Sequence, residues 1–301
     1  MRPLPTCVAG ALAAALPAFH ATAAPVVLKP SSQWRADFAD ESCFLSREFG
    51  EGEAKVLLEI ARFKPGTSLS FTLASKTLKL TDAPVLYRFL PAEHYSDSAN
   101  AKRVAFAEGY TGMTFDGWLP AATKEPAPID AKRGDSTTPP VSLPSAEALV
   151  NRAEEIVALE IARAVEEPVI LMTGSLANGM KLMDQCVDSL VESWGVFRDA
   201  SGNFPGMATV TNEAQLTRFI SEEYPIDALR KELGAVVRLR LSVGPDGKPT
   251  GCHLQTPVPL VSFSKDACDG MMRRARFEPP LDASGNPVAS YYVTTVTYAI
   301  N

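Results

Sequence analysis

The side chains best equipped for chemistry in this 301-residue chain are its five cysteines, Cys7, Cys43, Cys186, Cys252 and Cys268. Thiolates at suitable spacing ligate zinc, and in an oxidising compartment they pair instead. The pattern argues against zinc, because no C-x-x-C occurs and the only histidines beyond residue 24 are His94 and His253. Nucleophilic catalysis is no better supported. Gly174-Ser175 lacks the remainder of a G-x-S-x-G elbow. A serine or cysteine nucleophile needs a base within hydrogen-bond reach, and His94 and His253 fall in different predicted domains. Asp184 and Asp188 sit one helical turn apart beside Cys186, which reads as a solvated helix face rather than a pair of catalytic acids. His253 reads as a surface strand residue. The sequence carries no phosphate loop, dinucleotide fingerprint or H-E-x-x-H motif. It is therefore read as non-enzymatic, with no cofactor and no metal; a hydrolase of unknown type is the distant alternative.

The compartment follows from the first residues. Arg2 supplies a positive start, residues 8–16 form an apolar run rich in Ala and Leu, and Ala21-Thr22-Ala23-Ala24 offers an A-x-A cleavage site. That is the pattern of a secretory signal peptide over residues 1–24. A membrane anchor is the competing reading. A spanning helix needs about 20 apolar residues, and this run is shorter and broken by Pro17 and His20. Cys7 has no small-residue lipobox, which argues against a lipid anchor. Cleavage would leave Cys43, Cys186, Cys252 and Cys268 in an oxidising compartment, and spacing alone does not choose among their three connectivities. A formal net charge of −6, with 46% hydrophobic and 21% charged residues, describes a globular protein and argues against nucleic-acid binding.

The elements that would position these cysteines divide into two units. Residues 25–198 read as an N-terminal α+β domain, mostly antiparallel β with helices. Val56, Leu58 and Ile60 alternate as a half-buried strand, Lys64-Pro65-Gly66-Thr67 turns, and Leu69, Phe71 and Leu73 alternate again. Successive hairpins of this kind predict an antiparallel sheet with one wet face. Further strands are expected over 85–90, 104–107 and 113–118. Residues 120–144 are proline-rich without apolar period and read as a mobile loop. Ser145 begins a helix, and residues 156–164 either continue it or turn into a strand; apolar 169–172 favours a hairpin. Residues 178–194 predict a helix with Leu182, Met183, Cys186, Val187, Leu190 and Trp194 on one face, stopped by Gly195. A linker is expected over 199–211, then a short helix capped by Thr211 or Asn212.

The second unit, residues 212–301, carries the most specific pattern. Tyr224-Pro225 starts a helix expected over 226–233, because proline's missing N–H costs nothing in the first turn. Val237, Leu239, Leu241 and Val243 share one face of the following strand, with Arg238, Arg240 and Ser242 on the other. Pro245-Asp246-Gly247-Lys248 is a hairpin signal, and the return strand bears Cys252 and His253. Ser264 is placed as the cap of a helix over 265–276, and residues 291–300 form the last strand.

In order and spacing, Tyr224-Pro225, Asp246-Gly247-Lys248, Arg274-Ala275-Arg276-Phe277-Glu278-Pro279 and Gly285-x-Pro287 resemble the C-terminal domain of TonB, the periplasmic energy transducer of Gram-negative bacteria. The resemblance covers about a quarter of the chain. It implies a small ββαβ domain, with two helices packed on a three-stranded antiparallel sheet, and a periplasmic location. Paired cysteines at the positions of Cys252 and Cys268 recur in one branch of such sequences. Locality within the unit also favours that pair, leaving Cys43 for Cys186. In the family the closing strand receives a short segment of an outer-membrane receptor by strand addition. Carried onto this sequence, the partner-binding residues are Tyr224, Pro225, Tyr291, Tyr292, Val293, Thr295 and Tyr298. The implied partner is an outer-membrane receptor or other envelope protein presenting an extended peptide, with a homodimer also open. The segment from Trp34 to Trp194 resembles N-terminal regions that accompany such domains in some proteobacteria, with no defined activity.

Three departures qualify the implication. Thr256-Pro257-Val258-Pro259 stands where Ser-Ser-Gly is common, and Glu222-Glu223 where Gln-Pro is. A cleavable signal and a folded domain are expected in place of the anchor and long proline-rich spacer. Two functions are therefore carried forward: a TonB-like protein related to receptor-dependent transport, and an unanchored binding or envelope-assembly protein uncoupled from it.

Overall fold

Alternating apolar residues become strands whose apolar faces turn inward, and the computed structural model shows where those faces meet. It describes residues 24–98, 101–105, 109–119, 146–200, 202–222, 224–231, 235–256 and 261–298. The expected signal peptide, apart from its last residue Ala24, and the 120–144 loop lie outside the described residues.

The upstream elements are β1 (Val26–Leu28), β2 (Arg35–Ala39), β3 (Ser42–Phe49), β4 (Val56–Arg62), β5 (Leu69–Ser75), β6 (Val85–Leu90), β7 (Ser96–Ser98), β8 (Lys102–Ala105), β9 (Thr111–Gly117), α1 (Ala146–Glu154), β10 (Ala158–Arg163), β11 (Val169–Leu171) and α2 (Ala177–Ser193). They form a six-stranded sheet in the order β2-β3-β4-β5-β9-β8 and a five-stranded sheet in the order β1-β11-β10-β6-β7. Within 156–164, residues Ala158–Arg163 form a strand paired antiparallel with β11, as the hairpin reading has it. The two sheets share one apolar core. Phe71 and Phe115 of the larger sheet meet Tyr87 of the smaller at ring separations of 5.9 and 5.2 Å. The buried Tyr87 hydroxyl accepts from the Trp118 N–H at 2.9 Å, so the polar end of the ring is satisfied inside the core.

Helix α2 covers β3. Its buried face is Met180, Met183, Cys186, Val187, Leu190 and Val191. Leu182, expected on that face, is 41% exposed instead. Gly195 at φ +78° ends the helix in the left-handed region that glycine enters at little cost. Asp184 does not sit on a solvated face: it takes the guanidinium of Arg62, a β4 residue only 5% exposed. A disulfide joins Cys43 on β3 to Cys186 on α2 across 143 residues of chain, with Cα atoms 6.0 Å apart.

The C-terminal elements are β12 (Thr209–Val210), α3 (Glu213–Glu222), α4 (Ile226–Arg230), β13 (Ala235–Val243), β14 (Pro249–Leu254), α5 (Val261–Arg274), β15 (Phe277–Glu278) and β16 (Ser290–Tyr298). A three-stranded antiparallel sheet runs β14-β13-β16, and β12 pairs with β15. Val237, Leu239, Leu241 and Val243 are buried against α5 residues Phe263, Ala267 and Met271 in a second core. The hairpin turn depends on Gly247, at φ +72° and so close to the next segment that a Cβ would lie 2.2 Å from the Phe277 carbonyl oxygen. One expected cap is corrected, and a second keeps its position but caps through its backbone, the Asn212 carbonyl accepting from the Gln215 and Leu216 N–H groups. Helix α5 begins at Val261, so Ser264 lies inside it and donates back to the Val261 carbonyl. The Asn212 side chain turns away from α3 to bridge the Arg274 carbonyl and the Arg276 N–H. The second disulfide, Cys252–Cys268, ties β14 to α5 over 16 residues.

Closing a loop of 143 residues removes more denatured-state entropy than closing one of 16, on the order of 5 against 3 kcal/mol. Urea denaturation should therefore show a larger loss of stability for C43S/C186S than for C252S/C268S. Equal losses would mean that the long loop is already restrained in the unfolded chain.

Candidate partner-binding edge

Strand β16 is the outer strand of the C-terminal sheet, and its period of two assigns every side chain and backbone group to a side. Tyr292, Thr294, Val296 and Tyr298 stand opposite Leu241, Leu239, Val237 and Ala235, on the face that packs on the helices. Tyr298 is 4% exposed and lies with its ring 5.4 Å from Tyr224 and 5.0 Å from Phe263. Tyr292 packs on Phe277 at 5.0 Å. Pro225 is buried at the start of α4. These aromatic rings and the proline pack behind the edge, with Pro225 and Tyr298 buried and Tyr224 and Tyr292 half-buried.

Tyr291, Val293, Thr295 and Thr297 stand opposite Ser242, Arg240, Arg238 and Val236. This second face is covered by the upstream sheets for much of its length. Arg240, only 3% exposed, donates through Nε and Nη2 to both carboxylate oxygens of Glu41 at 2.7 Å. Its guanidinium also lies 4.5 Å from the Trp194 ring centroid. Glu41 sits in the two-residue β2–β3 turn, and Gln255 Nε2 donates to the carbonyls of Glu41 and Phe63 at 3.1 and 2.8 Å. Arg238 pairs with Asp116 at 2.9 Å and lies over the Phe63 ring at 4.2 Å. Tyr291 is packed on Trp194 at 5.1 Å and is part of the upstream core. His253 is exposed on β14, with Nδ1 3.4 Å from Glu41.

The backbone tells a different story. The Tyr291 carbonyl points away from β13 and accepts from the Ala208 N–H at 2.9 Å. By the same period, the outward groups further along are those of Val293, Thr295 and Thr297. Val293 N–H meets only the sulfur of Met207, at 3.5 Å. Among the described residues, the outward groups of Thr295 and Thr297 have no backbone partner. Residues 206–208 therefore cap the first part of the edge, and the rest is an open ladder. The sequence expectation takes Tyr291, Tyr292 and Tyr298 as contact residues; the structure buries Tyr291 and Tyr298 and leaves Tyr292 half-buried against Phe277. That expectation does not include Thr297, although period-two counting from Thr295 identifies it.

No catalytic constellation forms from the residues considered above. The Ser175 hydroxyl donates to the Ala153 carbonyl and accepts from the Ala177 N–H, joining the end of α1 to the start of α2. Among the described residues no group of three or more His, Cys, Asp or Glu side chains could hold a metal ion. Nor is any described helix long and apolar enough to cross a membrane.

The C-terminal unit is a small α+β module, with helices on one sheet face and an outer strand whose far ladder has no backbone partner among the described residues. Residues 221–300 match the family described as Gram-negative bacterial TonB protein C-terminal, and this part of the chain is a domain of that family. No curated protein matches the chain.

Two measurements check this geometry. Amide exchange should be fast at Thr295 and Thr297, with protection near unity, and slow at Thr294 and Val296, protected by about a thousandfold or more. Burial pushes the Tyr291 phenol up to about 12. Unfolded tyrosine titrates near 10, so the folded state excludes the phenolate. Stability is intact below about pH 10 and is lost as pH rises toward 12, on the order of 3 kcal/mol. Denaturation curves of Tyr291→Phe should lack this part of the alkaline loss.

Proposed function

We propose that the C-terminal domain holds an extended segment of an outer-membrane receptor or other envelope protein as an added strand along β16. The reading rests above all on the outward backbone groups of Val293, Thr295 and Thr297, which no described backbone group completes. An exposed ladder of this kind gives affinity through main-chain hydrogen bonds and specificity through alternate side chains. The match of residues 221–300 to the TonB C-terminal family supports an envelope location and a link to transport. In this reading residues 1–24 direct export to the periplasm, residues 25–198 form an accessory domain, and residues 212–301 carry the contact. The role is binding, not catalysis.

A second reading, a binding or envelope-assembly module uncoupled from transport, is favoured by one feature. The upstream sheets clasp the C-terminal sheet through Arg240 and Glu41, which suits holding a ligand better than transmitting a pull.

A photo-crosslinking residue at exposed Thr297 should capture one envelope protein in cells, through a single extended segment mapped by mass spectrometry. Thr295→Pro removes an outward N–H while sparing the β13 ladder, a substitution edge strands tolerate. It should reduce capture by about tenfold, the effect of a lost hydrogen bond with its partner left unsatisfied. Undiminished capture would sink the added-strand reading. Deleting residues 212–301 separates the two functions: lost receptor-dependent uptake supports coupling to transport, and unchanged uptake supports the uncoupled module.

A further inference from the structure

Beside the open ladder lies a cation, Lys64, with no counter-ion among the described residues. Lys64 belongs to the β4–β5 turn, and that turn is held firmly. Arg62 Nη2 donates to the Gly66 carbonyl at 2.7 Å, Phe63 lies beneath Arg238, and the Phe63 carbonyl takes the Gln255 amide. From this support the Lys64 ammonium reaches Met207, 3.9 Å from its sulfur. The same sulfur receives the Val293 N–H at 3.5 Å. One thioether thus stands between the ammonium and the outward amide of Val293.

The charges around Lys64 leave it unmatched. Its charged neighbour is Arg238, and the carboxylate of Asp116 is already engaged by Arg238 at 2.9 and 3.2 Å. Among the described residues no carboxylate faces the ammonium. Desolvation, and then the Arg238 charge, holds its pKa below the usual lysine value. A half-buried cation whose one acceptor among the described residues is a thioether gains a charge-assisted hydrogen bond from any carboxylate brought alongside.

We infer that Lys64, supplied by the upstream unit, completes the β16 site and selects an extended segment bearing an aspartate or glutamate beside Val293. The carboxylate would displace Met207 from the ammonium while the segment's backbone pairs with the ladder. The inference deepens the added-strand reading and rests on it. It makes the accessory unit part of the recognition surface, so that an acidic peptide is discriminated by a residue outside the family-matched domain.

The test uses the full chain and blocked heptapeptides of alternating threonine and valine, with aspartate, asparagine or lysine placed at each position in turn. Binding is read by peptide fluorescence anisotropy and by slowing of amide exchange at Thr295 and Thr297. At one position aspartate should bind about tenfold tighter than asparagine at low salt, and the preference should shrink as salt screens the pair. Lys64→Met should abolish that preference while still binding the asparagine peptide; Lys64→Arg should keep it. Peptides that slow exchange at the edge with aspartate and asparagine equal would overturn the role of Lys64 and leave strand addition standing. Peptides that never slow exchange would overturn both. An aspartate preference that survives in Lys64→Met, or that ignores salt in the unsubstituted chain, would also overturn the assignment.

Discussion

The pair between Arg240 and Glu41 is the constraint on which the arrangement of the molecule depends. A guanidinium only 3% exposed must be neutralised where it lies, and Glu41 does so with two bonds of 2.7 Å. Removing one partner of such a pair strands the other charge in a poorly solvated site, at a cost of roughly 3–5 kcal/mol. The same pair would be no better than a well-packed apolar contact as a source of stability. What it adds is direction. A planar fork meeting a carboxylate tolerates little rotation, so the β14-β13-β16 sheet is fixed at one angle to the upstream sheets.

The elements that deliver this pair are themselves tied together. Glu41 lies two residues before Cys43, and Trp194, whose ring covers the Arg240 guanidinium, lies eight residues after Cys186. The Cys43–Cys186 bond therefore joins the two walls of the Arg240 pocket, one from β3 and one from α2. Tyr291 packs on the same Trp194, so the start of β16 is held in the same place. Its far end is held from the opposite face by Tyr298 against Tyr224 and Phe263. A strand pinned at both ends, with its middle ladder open, would lose little entropy if a further strand paired with it.

Where the signal was periodic and local, the sequence was legible. The alternation of Val56–Ile60 and Leu69–Leu73 reads directly as β4 and β5, and that of Val237–Val243 as β13. Proline and glycine in Pro245-Asp246-Gly247-Lys248 mark a hairpin that forms as expected. Alternation shows that a strand has two faces and says nothing of what covers the second. Arg238 and Arg240 look like solvent residues in the sequence and are an interface in the structure. Strand β1 was missed because a three-residue strand pairing in parallel with β11, more than 140 residues away, leaves no local pattern. The tyrosines of β16 are ambiguous for a related reason: rings that suit a binding surface suit a core equally well, and the face each one takes follows from its parity against β13.

Lys64 shows the limit most clearly. In sequence it is one member of a Lys-Pro-Gly-Thr turn, with nothing to distinguish it from any solvated loop lysine. Its setting comes from contacts that span the chain: Arg62 to Asp184 across the α2 interface, Phe63 to Arg238 and Gln255, and Met207 to Val293. The Phe63 contacts with Arg238 and Gln255 and the approach of Lys64 to Met207 follow from fixing the two sheets at one angle, and would be lost if the units were free to reorient. The buried ion pair and the open edge are in this sense one device. The orientation that Arg240 and Glu41 impose is what puts a cation from one unit beside unpaired amides from the other, and neither unit alone contains both.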